Sequence, residues 1–291
     1  MENFIKPLTL SIVIPVYNEE RYIKKCLDSI EKQKIMPKEV IIVDNNCTDK
    51  TIAIASKYKF VRIVKEKKQG KAFARNKGLN SAKTDIIGRI DADSVLVPTW
   101  TETIIETFQD EKVAAITGPG YTLAFSKIFG HQLFPNYYSG LWSRIYLIGA
   151  TGIMRLQALW GANMAIRLSA WKIVVKQVCN DDEKVHEDQD LAIVLASNGL
   201  ASIYSDKLRI FMNGESFFVW PKYSEYIARS FGTYGYRIKL GDLSKNTLIR
   251  KPFYFFPLSV LIITIPTFFF TIGSFLTYYM IIAFRKLSKD S

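Results

Sequence analysis

Two carboxylates stand two residues apart at Asp91 and Asp93, directly after an apolar run at residues 85–90 that is typical of a buried strand. Carboxylates at the end of one strand can share a divalent cation, and that cation can hold a diphosphate. An Asp-x-Asp pair alone is weak evidence, because such pairs occur by chance on many solvated loops. Its meaning depends on the polar segments elsewhere in the chain.

Polar loops also follow two earlier apolar runs. The first begins at Pro15, where Tyr17 and Glu19 could bring polar groups against a flat ligand such as a nucleobase. Helix capping is the simpler interpretation of that loop taken singly. Asp44 ends the second run, where its carboxylate could accept hydrogen bonds from a base or a ribose.

A basic segment opens at Gly70. A glycine followed by free amides at a helix N-terminus favours an anion, and Lys71 and Arg75 lie one turn apart. They could face a diphosphate or a neighbouring carboxylate. A basic, solvated helix face is the alternative, and it is stronger for Lys71 than for Arg75.

Strands and helices alternate in the first part of the chain, and this order predicts a mostly parallel sheet flanked by helices. Predicted strands cover residues 8–15, 40–43, 61–64, 86–90 and 113–117, and predicted helices cover 23–30, 51–58, 71–82 and 98–108. Ligands of such sheets bind beyond the carboxyl ends of the strands. Because Glu19, Asp44 and Asp91 all follow strand ends, we expect them to share one site.

The charge balance narrows the class of partner. The chain of 291 residues has 39 Lys and Arg against 27 Asp and Glu, a formal charge of +12. That excess suits a nucleic acid, an anionic membrane or a phosphorylated substrate. We find no nucleic-acid-binding module and expect no nucleic acid partner. Three cysteines without paired or metal-type spacing, and a first segment without the apolar core of a signal peptide, favour a cytoplasmic setting.

A long apolar segment near the C-terminus supports the hypothesis that the partner is a membrane. Residues 253–284 contain no charged side chain and have basic residues on both sides, which is typical of a membrane-embedded segment. A re-entrant hairpin turning near Pro266 and a single tilted span both remain open. Residues 121–160 are rich in aromatic side chains and form either core helices or interfacial helices. We expect a domain at 1–240 and a membrane segment at 250–286.

Taken together, six motifs in order resemble the family 2 glycosyltransferases of the GT-A fold, over roughly residues 8–240. They are Ser11–Glu19, Val43–Asp49, Gly70–Asn76, Asp91–Asp93, Gly161–Asn163 and Glu187–Leu191. The resemblance implies an α/β, Rossmann-like fold and a nucleotide-diphosphate sugar as donor.

The resemblance also implies roles for single residues. The nucleotide pocket would be lined by Pro15, Tyr17, Glu19 and Asp44. Asp91 would contact the ribose or the metal shell, and Asp93 would ligate Mg2+ or Mn2+. The loop that bounds sugar and acceptor would contain Gly161 and Asn163, and Asp188 would be the base. Inverting transfer needs a carboxylate that takes the proton of the acceptor hydroxyl. Glu187 is adjacent, and the sequence leaves open which of the two is the base. An acidic helix N-terminus that complements the helix dipole is the alternative.

One element departs from the family's processive enzymes, which carry Gln-x-x-Arg-Trp after the base. Here residues 226–232 read Tyr-Ile-Ala-Arg-Ser-Phe-Gly, so only Arg229 remains to reach the diphosphate. We therefore expect transfer of a single sugar rather than polymerisation.

The sequence thus predicts a metal-dependent, inverting glycosyltransferase at the cell membrane with its catalytic domain facing the cytoplasm. The expected acceptor is a lipid-linked sugar, a polyprenyl phosphate or another envelope glycan precursor. A non-catalytic, membrane-bound module that binds nucleotide sugars is the alternative. A nucleotidyltransferase is disfavoured, because no glycine-rich phosphate loop follows the first strand.

Overall fold

A computed structural model of the chain describes residues 7–122, 157–181, 183–212, 229 and 232–242. All of them lie in the first of the two units into which the chain divides, Met1–Ser244. Within these ranges no helix has both the length and the apolar character needed to cross a bilayer. The proposed membrane segment at 250–286 and nearly all of the proposed interfacial helices at 121–160 lie outside the described residues.

Ten strands and seven helices are described. The strands are β1 (Leu10–Val16), β2 (Glu39–Asp44), β3 (Val61–Lys65), β4 (Ile86–Ile90), β5 (Val95–Leu96), β6 (Val113–Thr117), β7 (Gly120–Thr122), β8 (Asn163–Arg167), β9 (Ala201–Tyr204) and β10 (Ile210–Met212). The helices are α1 (Ile23–Glu31), α2 (Thr51–Ala55), α3 (Lys71–Ser81), α4 (Trp100–Thr107), α5 (Leu168–Val174), α6 (Glu187–Ser197) and α7 (residues 232–239). The predicted order of elements between residues 8 and 117 is confirmed, although α2 ends at Ala55 rather than Tyr58.

The central sheet has seven strands in the order β3-β2-β1-β4-β8-β6-β9. Six strands run in the same direction, and only β8 is antiparallel to its neighbours β4 and β6. The mostly parallel sheet predicted from the sequence is therefore confirmed. A second, three-stranded sheet has the order β5-β10-β7.

Helices cover both faces of the central sheet, because alternate residues of its strands point to opposite sides. On β1, Ile12 and Ile14 belong to the apolar cluster that includes α1 and α4, whereas Val13 belongs to the cluster that includes α3, α5 and α6. Strands buried on both faces are nearly continuous runs of apolar residues, as expected for a parallel sheet.

The reversed strand β8 matters most for the position of the site. In its register with β4, Ile90 at the end of β4 lies opposite Asn163 at the start of β8. The loop that precedes β8 therefore reaches the same edge of the sheet as the loop that follows β4. Gly161 and Asp91, which are distant in sequence, become neighbours at that edge.

Candidate active site

A buried arginine lies at the centre of the site. Arg89 on β4 is only 4% exposed, and its guanidinium lies 2.5 Å from Asp188 Oδ1 and 3.3 Å from Glu187 Oε1. Asp91 Oδ1 is 3.8 Å away on the solvent side. A buried charge must be paired, and the acids of α6 supply the partners of Arg89. These contacts connect β4 to the first turn of α6.

The loop before β8 completes the coordination of Asp188. The backbone N–H of Gly161 donates a hydrogen bond of 2.7 Å to Asp188 Oδ2. A Cβ atom at position 161 would overlap both the Arg89 guanidinium and the Asp188 carboxylate. Glycine is therefore required here for the close approach of backbone to the ion pair.

Two further arginines hold Glu187. Arg75, which is fully buried, donates from Nη1 to the backbone carbonyl of Glu187 at 2.8 Å, and Arg229 Nη2 lies 3.6 Å from Glu187 Oε2. Burial alone would raise the pKa of Glu187, but the positive charges of His186 and then of Arg89, Lys71 and Arg75 outweigh it and keep this pKa well below its usual range. Glu187 is therefore an ionised, weakly basic counter-ion.

The structure narrows the alternatives for Arg75. The sequence left a diphosphate, a neighbouring carboxylate and a solvated helix face open; the structure buries Arg75 beside the acidic first turn of α6, and its Nε donates to Asn76 Oδ1 at 2.8 Å. The periodicity of α3 gave no warning, because arginine on a helix normally faces solvent. Lys71 at the start of α3 is exposed, as the prediction requires.

Glu19, Asp91, Asp93 and Lys71 share one electrostatic environment. Burial, and after it the negative charges of Asp93 and Asp91, raise the pKa of Glu19 to about 7 against the lowering effect of Lys71. Desolvation likewise raises the pKa of Asp91 against the lowering effect of Arg89 and Lys71. The loops after β1 and β4 and the start of α3 thus converge, as the sequence predicted.

Asparagine side chains tie the loops of this edge together. Asn18 Oδ1, from a residue with φ of 56°, accepts hydrogen bonds from the N–H groups of Thr48 and Asp49 at 2.8 and 3.3 Å. Asn45 accepts from the N–H of Gly70 at 3.0 Å and donates to the carbonyls of Glu66 and Lys68 in the loop between β3 and α3. Gly70 has a φ of 143°, which favours glycine. Sequence reasoning missed these ties.

The remaining predicted nucleotide residues lie beside these loops. Asp44 is buried at the end of β2, where its Oδ1 accepts from the N–H of Cys47 at 2.8 Å and its Oδ2 is 4.0 Å from Lys65. Tyr17 is 52% exposed, and Pro15 is partly buried in β1, paired with Val43 of β2. An exposed tyrosine ring at this edge is free to lie against a planar ligand.

Asn163, which the resemblance assigned to the loop that bounds sugar and acceptor, is the first residue of β8. Its side chain is fully buried, donates to the carbonyls of Leu208 and Pro119 at 2.7 and 3.2 Å, and accepts from Trp100 Nε1 at 2.8 Å. These bonds occupy both ends of the amide, so Asn163 fixes the start of β8 and leaves Gly161 to face the cleft.

The residues present fit a divalent cation that is bound by one or two carboxylates and mainly by the phosphates of the substrate. Within the described ranges, no group of three or more His, Cys, Asp or Glu side chains could hold a metal ion. Asp91 and Asp93 offer carboxylate oxygens, and Mg2+ commonly binds through one or two carboxylates together with substrate phosphates. Burial is the main cause of the raised pKa of Glu19, and the negative charges of Asp93 and Asp91, which such a cation would neutralise, add to it.

Sequence analysis also missed Arg89, which contacts both acids at the start of α6. It lies within an apolar run, so the pattern read only as a buried strand. Its position two residues before Asp91 was the only local signal, and β4 ends at Ile90 before the turn that contains Asp93. The partner in α6 is 99 residues away in sequence and could not be inferred locally.

A mostly parallel, doubly covered sheet whose ligand edge carries an acidic pair after a central strand defines a GT-A type of nucleotide-sugar transferase. Residues 11–156 match the family described as glycosyl transferase family 2, and residues 86–285 match glycosyl transferase family group 2. The chain belongs to the family 2 glycosyltransferases.

Similar proteins agree with this assignment. The glycosyltransferase GlyG of Streptococcus pneumoniae is 28% identical over 179 residues, 59% of this chain and 58% of GlyG. GlyA of the same organism is 25% identical over 248 residues, 81% of this chain but 31% of GlyA. The chain thus spans less than two thirds of these curated relatives.

A solved structure has the same fold. The mannosyltransferase PcManGT of Pyrobaculum calidifontis, in complex with GDP-Man and Mn2+, superimposes with a TM-score of 0.60 at 18% identity, covering 80% of this chain and 64% of the mannosyltransferase.

Proposed function

We propose that this protein transfers a single sugar from a nucleoside-diphosphate sugar to an acceptor hydroxyl or phosphate, with inversion at the anomeric carbon. The observation that carries the proposal is the carboxylate of Asp188, held by Arg89 and Gly161 at the same sheet edge as Asp91 and Asp93. A base beside a site for an anionic leaving group is what direct displacement requires.

Asp188 is the better base of the adjacent pair. Both carboxylate oxygens of Glu187 face arginines, and its pKa lies well below its usual range, so it binds a proton poorly. Asp188 faces a single arginine and one backbone N–H. Because each carboxylate oxygen can accept more than one hydrogen bond, Asp188 keeps the capacity to accept a hydroxyl proton.

Asp91 and Asp93 would hold Mg2+ or Mn2+, and the cation would neutralise the negative charge that develops on the departing diphosphate. Lys71 lies at the same edge and would face the diphosphate, whereas Glu19 and Asp44 would bound the nucleotide. The Mn2+ and GDP-Man in the structure of the mannosyltransferase PcManGT support this choice of ligands.

The acceptor that we propose is lipid-linked or another envelope glycan precursor, met at the cytoplasmic face of the cell membrane. The support is the sequence of residues 253–284, which contains no charge and is bordered by Arg250, Lys251, Arg285 and Lys286. A membrane segment next to the catalytic unit would hold the site close to such an acceptor.

Release of nucleoside diphosphate from a panel of UDP- and GDP-sugars, with Mn2+ or with EDTA, tests the proposal on the full chain in mild detergent. We expect Asp188→Asn to lower turnover by about 100-fold or more and to leave donor affinity nearly unchanged, because Asn has the size of Asp and Glu187 still pairs with Arg89, whereas the group that takes the proton is lost. Asp93→Ala should weaken donor binding in Mn2+ and abolish the response to the metal.

Glu111→Gln is the matched control, since Glu111 is an exposed acid in the loop between α4 and β6, at the opposite edge of the sheet. Undiminished turnover in both site variants would reject the assigned roles. Donor binding without release across a panel of acceptors would favour a non-catalytic binding module instead.

A further inference from the structure

We propose that Arg89 is a positioning residue that, together with the N–H of Gly161, fixes the Asp188 carboxylate in the orientation required of the base. This inference rests on the proposed function. Arg89 holds Oδ1 at 2.5 Å and the Gly161 N–H holds Oδ2 at 2.7 Å. The terminal torsion of aspartate is otherwise broad, so one donor on each oxygen sets the plane of the carboxylate.

The position of Arg89 is costly for stability. Every residue of β4 is buried, and an apolar side chain would suit this strand better than a guanidinium. Among the described residues, Arg89 Nε finds no hydrogen-bond partner, which adds a desolvation penalty. An arginine selected only for stability would satisfy all its donors, whereas this one directs its two terminal nitrogens to the acids of α6.

The backbone on the other side of Asp188 is adapted to the same contact. Gly161 precedes β8, and any side chain there would displace the guanidinium and the carboxylate together. The reversed strand β8 holds this glycine in place through its register with β4. Asp188 is therefore fixed from two adjacent strands, and α6 contributes only the side chain.

A second ion pair on α6 provides a matched control. Arg237 on α7 pairs with Asp190 at 2.5 Å, and both residues are buried as deeply as Arg89 and Asp188. All three Arg237 nitrogens are bonded, to Asp190, to Asp242 and to the carbonyl of Gln177. This pair has the same chemistry on the same helix but does not contact the base.

Steady-state kinetics of Arg89→Lys and Arg237→Lys distinguish positioning from stability. Both variants keep a charge and are compared at a temperature at which circular dichroism shows them folded. We expect Arg89→Lys to lower kcat by about 10- to 100-fold with little change in KM for the donor, because a displacement of the base by about 1 Å can lower the rate by that factor. Arg237→Lys should retain the wild-type kcat.

A double-mutant cycle tests whether Arg89 acts through Asp188. Arg89→Gln should slow the wild-type enzyme but add nothing to Asp188→Asn, since the group it positions is already lost. If Arg89→Gln slows Asp188→Asn by the same factor as it slows the wild type, or if Arg89→Lys changes only KM, the inference is wrong.

Hydrogen exchange at the Gly161 amide gives a readout that does not depend on turnover. Its protection should fall in Arg89→Gln and in Asp188→Asn and stay unchanged in Arg237→Lys, because only the first two disturb the acceptor of that N–H. If the wild-type protein shows no transferase activity but Arg89→Gln still loses protection at Gly161, the proposed function is wrong, whereas the positioning of the Asp188 carboxylate by Arg89 stands. Full activity with unchanged protection in Arg89→Gln would overturn the positioning alone.

Discussion

Adjacent acids at the start of α6 acquire different chemistry from their surroundings. Glu187 faces Arg89 and Arg229 and keeps its charge, whereas Asp188 is held by one arginine and one N–H. The same logic applies across the cleft, where Glu19 gains a raised pKa from burial and from the nearby aspartates. Neighbouring groups, more than residue type, decide which carboxylate can take up a proton here.

The raised pKa of Glu19 predicts an effect on stability. The pKa is about 7 in the folded chain against a reference value of 4.5, so the folded state binds the proton more tightly. Stability from this group is present below about pH 4.5 and is lost as pH rises toward about 7. In EDTA, Glu19→Gln should therefore melt at a higher temperature than the wild type at about pH 8.

This difference in melting temperature should vanish below about pH 4.5, where Glu19 is protonated in both states. Glu31→Gln, at an exposed position at the end of α1, is the control and should show no pH-dependent difference. A wild type that is more stable than Glu19→Gln at about pH 8 would mean that the carboxylate is not repelled by Asp91 and Asp93.

Helix α6 is fixed at its N-terminus from both sides. Its first turn contains Glu187, Asp188 and Asp190, which complement the helix dipole. Arg89 holds the turn on the side of the sheet, and Arg237 holds Asp190 on the side of α7. Thr233 of α7 also accepts a hydrogen bond of 2.7 Å from the N–H of His186. The start of α6 is therefore held by the sheet and by α7, and only the contact from the sheet reaches the Asp188 carboxylate.

Removal of Arg237 should strongly destabilise the protein. Arg237→Gln leaves Asp190 fully buried without its counter-charge, which costs about 3–5 kcal/mol in the free energy of unfolding. Burial already raises the pKa of Asp190, and loss of Arg237 would raise it further. The deficit should therefore shrink as pH falls and Asp190 becomes protonated in the folded state.

Urea unfolding at about pH 8 and about pH 5 measures both effects. Arg62→Gln is the comparison, because it breaks an exposed pair with Glu39 at 2.8 Å and should cost no more than about 1 kcal/mol. Equal losses in the two variants would mean that the pair of Arg237 with Asp190 is no more important than a surface contact.

Local patterns were sufficient to predict the alternating helices and strands between residues 8 and 117, because the periodicity of each element depends on residues close together in sequence. They were insufficient for β8, whose place between β4 and β6 depends on pairing across a long stretch of chain. For the same reason sequence analysis assigned no role to Arg89 and left the partner of Arg75 open. Each satisfies its charge or its donors through α6, whose position in space no local pattern contains.

The chain as a whole combines a formal charge of +12 with one long uncharged segment at 253–284. If that segment lies in a bilayer, two lysines within it should be poorly tolerated, at about 2.5–3.5 kcal/mol each near the centre. We expect the full chain to stay with membranes after alkaline carbonate extraction and Ile272→Lys/Phe275→Lys to be released.

Ile173→Lys/Leu240→Lys is the matched control, since these two side chains are exposed apolar positions of the first unit. It adds the same charge and should remain with the membranes. Release of the unmodified chain by carbonate would refute membrane embedding without bearing on the transferase site.

The pairing of Ile90 with Asn163 has a consequence for engineering and for divergence within the family. The loops that carry Asp91 and Gly161 are aligned by the hydrogen-bond ladder of β4 and β8, so their spacing is set by strand pairing and not by the length of chain between β7 and β8. We therefore expect a graft that replaces residues 123–156 with the equivalent stretch of a relative to leave the separation of Asp91 and Gly161 unchanged.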